Sequence, residues 1–85
     1  MAKYRILIRK SVYKDLDRIP KKDVKRIISA IGKLQDNPRP TQSKKLSGED
    51  KYRLRCGSYR VIYEIKDDAL VVYVVKARHR KDVYK

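Results

Sequence analysis

Scarcity narrows what this chain can be. It has one cysteine, so it forms no intramolecular disulfide and builds no Cys-rich metal site. One histidine and the lack of a clustered acidic trio argue against a metal centre of any other kind. Its three glycines are scattered, which excludes a Gly-rich phosphate loop. No apolar run approaches membrane-spanning length, and Lys3, Arg5 and Arg9 stand where a secretory signal would carry its apolar stretch. The expectation is a cytoplasmic, soluble protein without cofactor, metal or membrane contact. Acidic residues are also few: 10 Asp and Glu face 24 Lys and Arg, for a net charge of +14. The excess is spread over both halves of the chain, so it belongs to a folded body and not to a tail. Such a field favours polyanionic partners, either nucleic acid or an acidic protein.

What is present is enough for one domain, residues 1–85, since 41% of the residues are hydrophobic. Tyr4–Ile8 reads as a first strand. Ser11 is placed to cap a short helix, with Val12, Leu16 and Ile19 at helical spacing. Pro20 separates it from a second helix whose apolar stripe is Val24, Ile27, Ile28, Ile31 and Leu34. Asn37-Pro38 is expected to stop that helix, and residues 37–50 read as a loop.

The most informative stretch runs from Lys51 to Ile65. It predicts two strands joined by a Gly57-Ser58 turn. That register sets Cys56 opposite Tyr59, Arg55 opposite Arg60 and Leu54 opposite Val61. Tyr52, Leu54, Cys56, Val61, Tyr63 and Ile65 then share an apolar face, and Arg53, Arg55 and Arg60 share the other. Arginines directly opposite one another repel. Two readings fit: a face that binds an anion, or a solvated face on which water screens the repulsion. Asp67-Asp68 marks the next turn and Ala69–Val75 a further strand. With a two-residue loop, Leu70, Val72 and Val74 join the core, while Val71, Tyr73 and Val75 join the arginine face. A loop one residue longer reverses this. The expected fold is α+β: an antiparallel sheet with two N-terminal helices on one face, in the order β-α-α-β-β-β, and an open basic face.

The last strand ends in Arg78-His79-Arg80 and the chain closes with Tyr84. Together with the hairpin arginines, these residues supply several cations for one phosphate, and guanidinium forks bind phosphate oxygens in pairs. RNA cleavage needs the 2′-oxygen deprotonated, the phosphorane stabilised and the 5′-oxygen protonated. Arginines meet the second need. His79 is the one imidazole on offer, although its side chain could equally face solvent, and Tyr84 becomes a base if cations lower its pKa. Cys56 reads as a small buried hydrophobe.

Tyr52-Arg-Leu-Arg, Gly57-Ser-Tyr-Arg-Val-Ile-Tyr-Glu-Ile and Val74-Val-Lys-Ala-Arg-His-Arg-Lys-Asp-Val-Tyr84 resemble the RelE branch of the RelE/ParE toxin superfamily. The likeness spans essentially the whole chain, and the Arg-His-Arg-x-x-Val-Tyr ending points to RelE. It implies a toxin of a type II toxin–antitoxin pair, an endoribonuclease that cuts mRNA in the ribosomal A site without metal and leaves a 2′,3′-cyclic phosphate. Carried over, the family's strand lysines fall on Arg53 and Arg55, its strand arginine on Arg60, its post-strand arginine on Arg78 and its terminal tyrosine on Tyr84. Arginine is a poor general base, so Tyr84 takes that role here. Arg55 and Arg60 are assigned to the phosphorane and Arg78 to the leaving group. Lys51, Arg53, Tyr73, His79 and Arg80 are assigned to holding RNA. The likeness further implies a cognate acidic antitoxin, with operator DNA bound only through it. Three other readings stay open: a ParE-like gyrase inhibitor, a non-catalytic RNA- or ribosome-binding module, and an inactive relative whose toxicity is lost through the Lys-to-Arg changes.

Overall fold

The computed structural model describes residues 3–46 and 50–79. β1 (Arg5–Ile8) leads into α1 (Lys10–Asp17) and α2 (Lys21–Lys33), followed by β2 (Ser43–Lys45), β3 (Lys51–Cys56), β4 (Tyr59–Lys66) and β5 (Val71–His79). The strands form one five-stranded sheet in the order β1-β5-β4-β3-β2. The α+β architecture with helices on one face matches expectation, but the sheet is not wholly antiparallel: β1 runs parallel to β5. The two helices carry the chain from β1 to the far edge of the sheet. The β3-β4-β5 meander then walks back until β5 lies beside β1 pointing the same way. Among the described residues, no helix is long and apolar enough to cross a membrane.

The core lies between helices and sheet. Val12, Ile27, Ile31 and Leu34 pack against Leu54, Cys56, Val61, Tyr63, Ile65, Val72, Val74 and Ala77, all under a tenth exposed. The hairpin face was therefore legible from alternation. Ile28 departs from the expected stripe and is 45% exposed, because α2 turns only one side of its stripe to the sheet. Ser11 is not the cap of α1; Arg9 occupies that position, without a side-chain cap bond. The helix starts straight from β1, since the Arg9 N–H already bonds the Val74 carbonyl and the Arg9 carbonyl accepts from Val12. α2 ends at Lys33, short of Asn37-Pro38.

Two loops also differ. Residues 37–50 contain β2, a strand of Ser-Lys-Lys with little β-propensity that exists through its pairing with β3. Its shortness and lysines are what a sheet edge needs to avoid pairing with another chain. The β4–β5 connection is a 3-10 turn, Asp67–Ala69, closed by Leu70 at φ 53°, so Leu70 is exposed instead of joining the core.

Candidate nucleic-acid interface

The hairpin turns at Gly57-Ser58, with positive φ at Gly57 alone, the signature of a type II′ turn. A β-carbon at Gly57 would meet the Arg26 guanidinium at 3.3 Å, a second reason for glycine there. The turn fixes the register: Arg55 is opposite Arg60 and Cys56 opposite Tyr59. On the other side of β4, Arg60 is opposite Arg78. Three arginines thus stand in one row across β3, β4 and β5. Neighbouring Cα atoms in such a row are about 5 Å apart.

Arg78 reaches this row through a register shift. Tyr63 pairs with Val74 but Ile62 pairs with Lys76, leaving Val75 as the extra residue of a β-bulge. Strict alternation would set Lys76 and Arg78 on the core face with Val72 and Val74. The bulge inverts the phase, so Ala77 enters the core opposite Val61 and Lys76 and Arg78 turn to the arginine face. Burying two unpaired charges would cost far more than one missed ladder position. Val75 is buried, but like Val71 and Ile62 it is not part of the core cluster that packs against the helices.

A second row runs alongside: Lys44 opposite Arg53, then Ile62 and Lys76. It lies two residues from the first, about 7 Å along the strands. Thr41, Gln42, Ser43, Lys44, Arg53 and Arg55 line a groove of about 330 Å³ between the rows and the sheet edge. Tyr73 is on this face but opposite Glu64, four residues along β4 from Arg60. It is about 13 Å from the arginine row and no stacking surface for it. His79 lies opposite Tyr59, against whose ring it stands edge-on at 5.5 Å, on the helix side of the sheet. The structure therefore groups Arg53, Arg55, Arg60 and Arg78, with Lys51 two residues beyond Arg53 on the same face of β3, and separates Tyr73 and His79 from them. Arg80 and Tyr84 lie outside the described residues.

The sequence model of the ParE toxin of type II toxin–antitoxin systems matches residues 6–84. The chain belongs to the RelE/ParE toxin superfamily. Methanocaldococcus jannaschii has relatives named RelE1, 34% identical over 98% of this chain and 97% of its own, and RelE3, 32% identical over 94% of each. The fold superposes on the Pyrococcus horikoshii RelE-RelB complex with a TM-score of 0.84 at 34% identity, covering 94% of this chain and 98% of that one. It also matches the Mycobacterium tuberculosis RelBE2 toxin–antitoxin complex with a TM-score of 0.81 at 26% identity, covering 93% and 100%.

In this RelE-like toxin the basic edge is held by a clamp that sequence reading missed. Arg39 donates to both carboxylate oxygens of Asp67, at 3.3 and 2.8 Å, and through Nε to the Tyr52 hydroxyl at 3.0 Å. The Tyr4 hydroxyl donates to the same Asp67 at 2.7 Å. Buried Tyr63 donates to the Pro38 carbonyl at 2.7 Å, and its ring stacks on Tyr52. These bonds tie residues 37–42 down, so that β2 emerges beside β3 and Lys44 meets Arg53. Asp67 is thus an anchor and not merely a turn residue. The one hint in the sequence was an arginine between two prolines, Pro38-Arg39-Pro40.

The Arg39 fork and the Tyr4 hydroxyl hold the Asp67 carboxyl below its ordinary pKa. The same hydrogen bond to Asp67 raises the pKa of Tyr4. A depressed carboxyl stabilises the fold above its unfolded pKa, about 3.9, and this is lost as pH falls through the lower folded value. Asp67→Asn should accordingly melt below wild type at neutral pH, by a small margin because the pair is half-exposed. The gap should close on acidification below about pH 4; a gap unchanged in acid would contradict the clamp. Burial pushes the Cys56 thiol up, with Arg26 opposing weakly, which fits a core role and not a nucleophile's.

Proposed function

We propose that this toxin is a metal-independent, ribosome-dependent endoribonuclease that cleaves mRNA in the A site and so inhibits translation in the cytoplasm. The observation that carries the reading is the in-register row Arg55–Arg60–Arg78 on an open basic face. In the reaction the 2′-oxygen attacks the adjacent phosphorus and the bond to O5′ breaks. The products are a 2′,3′-cyclic phosphate and a 5′-hydroxyl. Tyr84 takes the 2′ proton, the base role that the family resemblance assigns to it. Arg55 and Arg60 stabilise the phosphorane, and Arg78 stabilises the charge developing on O5′, which takes up a proton as it leaves. Arg53, with Lys44 opposite it, holds the flanking backbone as a charge contact.

A cognate acidic antitoxin completes the pair, with operator DNA bound through it. The +14 charge supports such a partner, and two structural neighbours are toxin–antitoxin complexes. The test is brief induction in cells, with mRNA mapped by primer extension beside an Arg78→Ala control. Cuts within codons that require translation, and that vanish in the control, are the expected result. The ParE family match favours one second reading, a gyrase-binding toxin without nuclease activity. Growth arrest with intact mRNA would establish that reading instead.

A further inference from the structure

β1 pairs with β5 only from Val71 to Val74, so the second half of β5 has an open edge. α1 covers it, and one side chain there makes two contacts. Asp15 accepts the Ala77 N–H through Oδ2 at 3.3 Å and pairs with Arg78 Nε through Oδ1 at 3.3 Å. The Asp15 side chain is only 12% exposed while Arg78 is 45% exposed, so the carboxylate is fixed at the strand and the guanidinium still faces solvent. The carboxylate thereby grips the strand and the guanidinium at once. Since it engages Arg78 at Nε, the two terminal nitrogens are left outside the ion pair and available to a phosphate. It also neutralises one end of a row of three like charges that would otherwise repel.

We infer that Asp15 is a positioning residue for Arg78, orienting its guanidinium toward the scissile phosphate. The inference rests on the nuclease reading above for its catalytic consequence and on geometry for the contact itself. Asp15→Asn is the informative variant. Its amide oxygen still accepts the Ala77 N–H, while the uncharged side chain cannot form the ion pair with Arg78, so the strand edge stays satisfied and the orienting contact is lost.

The experiment compares wild type, Asp15→Asn, Arg78→Ala and the double variant in single-turnover cleavage of ribosome-bound mRNA, and records the Arg78 Nε–H resonance by NMR. Asp15→Asn should slow cleavage about tenfold at saturation with KM little changed. In the Arg78→Ala background it should cost nothing further. The Arg78 Nε–H resonance should shift between wild type and Asp15→Asn, because the carboxylate charge beside it is removed. An equal loss of rate in both backgrounds would overturn the inference, because Asp15 would then act through something other than Arg78. If wild type leaves mRNA intact, the nuclease reading fails by itself and the NMR signal decides the Asp15 contact alone. An Arg78 Nε–H resonance that stays unmoved in Asp15→Asn overturns it.

Discussion

Arg60→Ala should lower the rate of mRNA cleavage by about 10²–10³-fold, the cost of removing one preorganised donor from a developing oxyanion. Arg60 is the middle of the row, flanked by Arg55 on β3 and Arg78 on β5, so no neighbour duplicates its position. Arg60→Lys keeps the charge and loses the paired donors of the fork, and should fall between the two. Affinity for single-stranded RNA should drop as well, with the salt slope shallower by about 0.7 for the one phosphate contact removed. The fold should survive, because Arg60 is outside the core and its removal relieves like-charge repulsion on both sides. Single-turnover rates against melting temperature check all of this. A variant that melts like wild type, binds RNA more weakly and cuts at an undiminished rate would show that Arg60 only holds the backbone.

The largest effect on stability is expected at Tyr63, the largest of the fully buried side chains. Tyr63→Ala removes a ring packed between α2 and the sheet and strands the Pro38 carbonyl that its hydroxyl serves. Emptying such a site costs about 3–5 kcal/mol. An 85-residue domain has in total about 4–13 kcal/mol to lose. The melting temperature should therefore fall by at least about 12 °C, or the chain should fail to fold. Tyr63→Phe separates the two contributions, since it keeps the ring and leaves only the carbonyl unpaired, at about 1–3 kcal/mol. It should also loosen residues 37–42 and with them β2, so Lys44 would no longer meet Arg53. A Tyr63→Phe variant as stable as wild type would mean that the Pro38 contact is dispensable.

The hairpin was legible because its information is local. A glycine in a two-residue loop sets the register, and alternation then assigns every side chain from Tyr52 to Ile65 to a face. The α2 stripe was legible for the same reason, apart from Ile28, whose exposure depends on how the helix is rolled against the sheet. β2 was not legible, because Ser43–Lys45 carries no strand signal and owes its form to a partner strand. The Arg39–Asp67 clamp was not legible either. Its partners are 28 residues apart, and neither the Pro-Arg-Pro loop nor the Asp-Asp turn names the other. Tyr73 and His79 read as neighbours of the arginines along the chain, yet the pleat and the bulge carry them elsewhere.

By itself the sequence determined the field and the chemistry on offer: a net +14 body, a hairpin whose arginines must face one another, and a tail of cations. These depend only on composition and on the two-residue period of a strand. The tertiary structure decided that Arg78 belongs to the row. Its strand has to fit Val72, Val74 and Ala77 against the helices while keeping Lys76 and Arg78 out of them, and one period of two cannot satisfy both. The slip at Val75 resolves the conflict, and Asp15, brought over the open edge by α1, then fixes the guanidinium. Periodicity is a property of neighbours along the chain. A phase change is set by what packs across it.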